Sequence, residues 1–539
     1  MRDSLVLLAV MIVALSGLTA AARAEGPEPL TPKAARALLA MPKGSVSLGK
    51  TSDGSLHAAV ELPPKGLGYQ VLGHALGRKT NYGTRELIDV IARATTTVAE
   101  RFPGSKLGVG NLGFESGTKI PWSVSHQAGR DADLGMYATD DAGRPVELVP
   151  FVYYGPDLTA RSNGRVVRFD LPRNLAFVTT LLADDEARVQ YIFVAAWLKD
   201  RLIQEARRTG VSAEIIRRMQ EVLHQPTDSN PHADHFHLRL FCSKEDRLHG
   251  CLNRQPPRDW VDLGDEEHRA RSLELARILE LSDDKLRVAA LDKLAAIRGT
   301  PAMDAVVGQL EQGSTRVRKA ALATLVTWAD PTAAERITAL LPRVRDARWA
   351  SELFGAIPRL DADTLVPLAV RVARAPDAML HPDVKKNAGV DLQVAAISIL
   401  KEHGGAGEVD LLLELAGSRT KVIAKAATEA LAWITCQPPK TRFEAWWREH
   451  ARSDVVAWTR VGLAARGTKR LPASLRSRAG VELLIPLVAS RDGALRHCAG
   501  RALVEITGHP FEARLRSPAR NRKHWTSWWA DNRTTSGLP

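Results

Sequence analysis

Four segments in the second half of the chain repeat one spacing. Leu286-Arg287-Val288-Ala289-Ala290 runs to Leu294, and Val317-Arg318-Lys319-Ala320-Ala321 runs to Leu325. Ile423-Ala424-Lys425-Ala426-Ala427 runs to Leu431, and Leu495-Arg496-His497-Cys498-Ala499 runs to Leu503. Each opens on a large apolar residue, places small residues three and four later, and ends on Leu at the eighth. On an α-helix these positions share one face. The small pair lets a neighbouring helix come close. The first two copies are offset by 31 residues, the period of stacked helical pairs. Whatever else the chain contains, it must contain a helical array.

The pattern resembles HEAT-type repeats over roughly 270–510. N-terminal to it the sequence has a different character. Positions 86–102, 190–208 and 212–223 have helical periodicity, whereas 107–113, 131–137 and 235–240 read as strands. The expected organisation is a leader at 1–24, a Pro/Gly/Ala-rich lead-in at 25–60, an α+β domain at 61–255, a linker at 256–268 and an all-α repeat domain at 269–539. Within the array, Ile434-Thr435 leads to Trp446-Trp447, and Ile506-Thr507 leads to Trp528-Trp529. Paired tryptophans suit either sugar stacking or helix packing, and packing is the commoner use of large aromatics.

An apolar run over 5–18, followed by Ala22-Arg23-Ala24, reads as a signal peptide cleaved after Ala24. The run is shorter than the roughly 20 residues a membrane span needs. The expected location is the periplasm, where disulfides form. The four cysteines are too few for a disulfide scaffold. Cys242 and Cys251 flank a short polar turn and are the disulfide candidates. Cys436 and Cys498 lie far apart in helical patterns and read as buried free thiols. The formal charge is +13. Removing 1–24 gives 13 − 1 = +12, and 25–255 holds 29 basic and 26 acidic residues, or +3. The other +9 belongs to the repeat half, which favours an anionic wall polymer or a protein partner over nucleic acid in an exported protein.

Two segments carry the chemistry. The first runs from Ser125-His126-Gln127 to Arg130-Asp131-Ala132-Asp133, and the second is His232-Ala233-Asp234-His235-Phe236-His237-Leu238-Arg239. In a strand, alternate side chains share a face. His235, His237 and Arg239 then face a cleft while Phe236 and Leu238 enter a core. Asp131 and Asp133 are aligned in the same way, and Gly129 permits a turn back to His126. A His, a carboxylate and a distant His form the three-protein-ligand set of a catalytic zinc. A base must stand nearby, and His235 is the first choice.

The order Ser-His-Gln-x-Gly-x-Asp-x-Asp, then His-x-x-His-x-His, resembles the penicillin-insensitive murein endopeptidases, a branch of the zinc peptidases. The resemblance covers about 68–251. It implies zinc ligands His126, Asp133 and His237, a catalytic His235 with an accessory His232, and hydrolysis of the D-alanyl-diaminopimelate cross-link of peptidoglycan. Ser123 and Thr84 stand where those enzymes usually carry further histidines. Asp234 stands where the related D,D-carboxypeptidases place a Glu, so that activity is the alternative, and a non-catalytic wall-binding scaffold is a third reading. Gln127, Arg130, Asp131, Asp234 and Arg239 are candidates for substrate contact or for support of the ligands. Arg239 has two readings, a substrate carboxylate or a pair with Asp131, and Asp170 reads as a helix cap.

Overall fold

The computed structural model describes residues 30–146, 150–226, 231–357, 365–382, 387–509 and 517–539. The leader at 1–24 lies outside the described residues. The described chain divides into one unit ending at Ile297 and a second beginning at Arg298.

The first unit contains α1 (Pro32–Leu39), β1 (Val46–Lys50), β2 (Asp53–His57), β3 (Lys65–Gly66), β4 (Tyr69–Val71), α2 (Gly73–Arg78), α3 (Arg85–Arg101), β5 (Leu107–Val109), β6 (Asp131–Leu134), α4 (Leu171–Ala183), β7 (Val189–Phe193), α5 (Ala196–Arg208), α6 (Ala213–Val222), β8 (Leu223–His224) and β9 (Phe236–Leu240). Seven of the strands form one mixed sheet in the order β8-β7-β9-β6-β5-β4-β3. The central pairs β7/β9, β9/β6 and β6/β5 are antiparallel.

Alternation sorts the side chains of β6 and β9. Ala132, Leu134, Phe236 and Leu238 are fully buried in a core shared with Leu87, Ile91 and Val98 of α3 and Phe177 and Leu181 of α4. Burying each large apolar side chain is worth about 1.5–3 kcal/mol. The polar set, Asp131, Asp133, His237 and Arg239, is displayed on the other face. Helix α3 starts where Thr84 Oγ1 accepts the Leu87 amide at 3.3 Å. Thr84 is thus a helix cap.

Two expectations for the first unit change. The run over 190–208 is not one helix, because Val189–Phe193 forms β7 and the helix begins at Ala196. Val189, Tyr191, Ile192 and Phe193 are β-branched or aromatic and fit a pleated surface. The segment read as a lead-in supplies α1 and the β1–β2 hairpin. Ser47 of β1 is buried, its hydroxyl accepting from Arg130 Nε at 3.0 Å.

The second unit is helical in all its described elements, from Met303–Gln312 to Pro518–Asn532. The repeated spacing forms a buried stripe at positions one, five and nine. Val317, Ala321 and Leu325 are buried, as are Ile423, Ala427 and Leu431. Cys436 and Cys498 are not free thiols. They form a disulfide, as do Cys242 and Cys251. The C-cap of the helix Lys421–Thr435 brings Cys436 to the face of Gly493–Thr507 that carries Cys498, a proximity that sequence separation hid. The paired tryptophans pack. Trp446 stacks on His450, and Trp447 donates to Asp410 Oδ1 at 2.8 Å. Trp525 and Trp529 are in the core, with Trp528 stacked on His509.

Candidate metal centre

The register of β6 against β9 sets Asp133 opposite His237 and Asp131 opposite Arg239. His126 comes from the turn before β6. Its φ is +66°, an uncommon conformation for a residue with a side chain. Gly129, at φ +68°, completes the turn. A Cβ on Gly129 would meet Leu56 at 2.8 Å.

Three imidazoles converge on Asp133. Its Oδ1 is 3.2 Å from His126 Nε2, 3.3 Å from His237 Nδ1 and 3.4 Å from His235 Nε2. His126, Asp133 and His237 offer donor atoms within 4.8 Å of one another, and so do His232, His235 and His237. Metal–ligand bonds of 2.0–2.1 Å in a tetrahedron put neighbouring donors about 3.3 Å apart. The two edges from Asp133 Oδ1 to His126 and His237 fit that length.

The far side of each ring is fixed as well. His126 Nδ1 lies 2.7 Å from the Leu112 carbonyl and donates to it, so Nε2 is the nitrogen that faces Asp133. His237 Nε2 lies 2.9 Å from Asp131 Oδ1, which leaves Nδ1 facing inward. Carbonyl and carboxylate partners of this kind orient metal-binding imidazoles. Asn111 Nδ2 donates to Asp133 Oδ2 at 3.1 Å, and Thr80 holds Asn111 from behind at 2.9 Å. Neither Asn111 nor Thr80 stood out in the sequence, because both precede the motif by more than a dozen residues.

Charge reinforces the arrangement. Burial opposes ionisation of Asp133, but His126, His235 and His237 hold it well below the usual carboxylate range. Burial opposes Asp131 too, and Arg239, with Nε at 2.6 Å, and His237 hold it low. Burial pulls His126 down while Asp133 raises it above its ordinary value. The same balance, with Asp133 and Asp234 as the raising partners, lifts His235 to about 10. Of these two carboxylates, Asp133 would share its charge with a bound cation. Burial, then His235 and His237, push His232 down to about 4.

The remaining candidates separate. Asp234 Oδ1 accepts from His235 Nδ1 at 2.9 Å. Arg239 pairs with Asp131. Arg130 is a structural residue, buried and hydrogen-bonded to the Leu240 carbonyl at 2.7 Å and to Ser47. Gln127 Nε2 donates to the Ser52 carbonyl at 2.9 Å. Asp170 caps α4 and pairs with Arg173 at 2.6 Å. The centre opens on a cleft of about 1110 Å³. Phe151, missed in the sequence, stacks on His235 at 4.9 Å and 15°.

This sheet with its His/Asp centre lies in a region similar to known proteins. Residues 47–274 match the family model of the penicillin-insensitive murein endopeptidases. Over 225 residues the chain is 29% identical to the penicillin-insensitive murein endopeptidase of Haemophilus influenzae, covering 41% of this chain and 71% of that protein. The first unit is thus similar to this family over those residues. A crystal structure of an engineered protein aligns at a TM-score of 0.22 and 17% identity, over 65% of this chain and 82% of that one, a likeness too low to carry an argument.

Proposed function

We propose that the chain is an exported, zinc-dependent endopeptidase that hydrolyses D-alanyl-diaminopimelate cross-links in peptidoglycan. The family that its first unit matches is one of murein endopeptidases. The observation that carries the metal reading is that His126 Nε2 and His237 Nδ1 stand 3.2 and 3.3 Å from Asp133 Oδ1, each ring fixed from behind. These three atoms would hold the ion. Zinc bound there supplies Lewis-acid chemistry, polarising a carbonyl and acidifying a water.

The protein's own groups do the rest. Asp234 accepts from His235 Nδ1 and orients the ring with Nε2 toward Asp133; with the charge of Asp133 taken up by the ion, Nε2 would be free to take a proton and return it to the leaving amine. Phe151 fixes the plane of that ring. His232, its ring 5.1 Å from that of His235, is kept neutral by burial, so it adds no second cation beside the working imidazole. Its Nδ1 is buried without a hydrogen-bond partner among the described residues. The helical unit, with HEAT-like spacing and most of the positive charge, is assigned as an arm for an anionic wall polymer or a protein partner.

Digestion of purified murein, with products weighed by mass spectrometry, tests the reading. Cross-linked dimers should become monomers, and chelator or His126→Ala should reduce this to background. Loss of only a terminal D-Ala would move the assignment to a D,D-carboxypeptidase. Stoichiometric zinc without any cleavage would favour the wall-binding scaffold.

A further inference from the structure

One wall of the cleft is unused by the chemistry above. His74 and Arg78 lie four residues apart on α2 and share a face, and both line the cleft. His74 meets Phe151 edge-on at 5.9 Å. One turn outward, Arg78 Cζ stands 4.3 Å over the ring of Trp122. Trp122 is 47% exposed and Val124 80%, so this segment is a surface lip and not part of the core.

The cleft contains five cationic side chains, two of them already engaged: Arg130 by backbone carbonyls and Arg239 by Asp131. Arg78, Lys119 and Arg254 have no carboxylate within ion-pair distance among the described residues. The two carboxylates lining the cleft, Asp133 and Asp234, are both engaged by histidines. A guanidinium stacked on an indole uses its face for that contact, while its N–H donors lie in its plane and remain available. Planar donors held rigidly suit bidentate recognition of a carboxylate.

We propose that Arg78 and Trp122 form a subsite for a free carboxylate of the peptidoglycan stem peptide. Arg78 donates to the carboxylate, the indole packs against the adjoining apolar part, and Lys119 adds positive field. This subsite rests on the peptidoglycan reading and specifies which part of the substrate the outer cleft holds.

The test is calorimetric binding of a monomeric tetrapeptide muropeptide, and of its carboxamide derivative, to the zinc-loaded full-length chain. This ligand has no cross-link to cleave, so binding is read independently of cleavage. The free acid should bind about tenfold more tightly than the amide. Arg78→Gln and Trp122→Ala should each abolish that preference, and Arg78→Lys should restore part of it. Equal affinity for acid and amide, or a preference that survives Arg78→Gln, overturns the subsite, as does absence of binding. If the preference behaves as expected but murein is not cut, the subsite stands and the endopeptidase reading fails.

Discussion

Asp131 and Asp246 are both buried carboxylates, and their surroundings treat them in opposite ways. Asp131 has Arg239 and His237 against it, which outweigh burial and keep it ionised. Asp246 has the Ser47 amide at 3.1 Å but also the field of Glu86, and burial followed by that field raises it to about 7. An unfolded Asp titrates near 4. Between about pH 4 and 7 the folded state therefore holds a proton that the unfolded state has released. Stability contributed by this site is present below pH 4 and is lost as pH rises toward 7. Asp246→Asn keeps an acceptor for Ser47 and removes the titration. Relative to the unsubstituted protein, the variant should gain stability as pH rises from 4.5 to 7.5, reaching ~2–4 kcal/mol at the upper end. Denaturant unfolding at a series of pH values would measure this, and a difference that stays constant with pH would refute it.

At the scale of elements, the centre is a product of strand register. The β6–β9 ladder places Asp133 against His237, and alternation in the two motifs was enough to foresee the shared face. The sequence could not supply what approaches from outside that ladder. Asn111 follows β5, and Phe151 arrives from a separate loop with no periodicity to mark it. The strand β7 was hidden for another reason: an apolar run flowing directly into a true helix carries both periods at once. Phe151 reaches His235 through space left by Gly110, where a Cβ would stand 2.6 Å from the Phe151 ring. Gly110 is not among the positive-φ glycines, so the constraint is steric and not conformational. Gly110→Ala should therefore displace Phe151 and loosen His235. We expect kcat on cross-linked muropeptides to fall about tenfold, roughly 1.4 kcal/mol of barrier, with zinc content retained. Unchanged kcat would show that the stacking does not position the imidazole.

For the whole molecule, each unit has its own core and its own disulfide. The helical order of the second unit was legible because a one-face apolar stripe recurs in it at 317–325, 423–431 and 495–503. Its cross-link was not, since nothing local brings Cys436 and Cys498 together. The bond spans 62 residues, against 9 for Cys242–Cys251. Loop-closure entropy makes the longer link worth about 4 kcal/mol and the shorter about 2.5 kcal/mol. Cys436 is also the C-cap of its helix, in the left-handed conformation at φ +64°. Reduction would free a strained residue at the end of Lys421–Thr435 as well as the chain entropy. Cys498→Ser should thus lower the unfolding midpoint of the helical unit by several degrees under oxidising conditions and leave the zinc content of the first unit unaltered. Scanning calorimetry with and without reductant separates the two bonds, because the variant should respond to reductant only through Cys242–Cys251. If the variant and the unsubstituted protein lose the same stability on reduction, the longer bond contributes nothing, and the packing of Trp525 and Trp529 with their neighbours must hold the unit together alone.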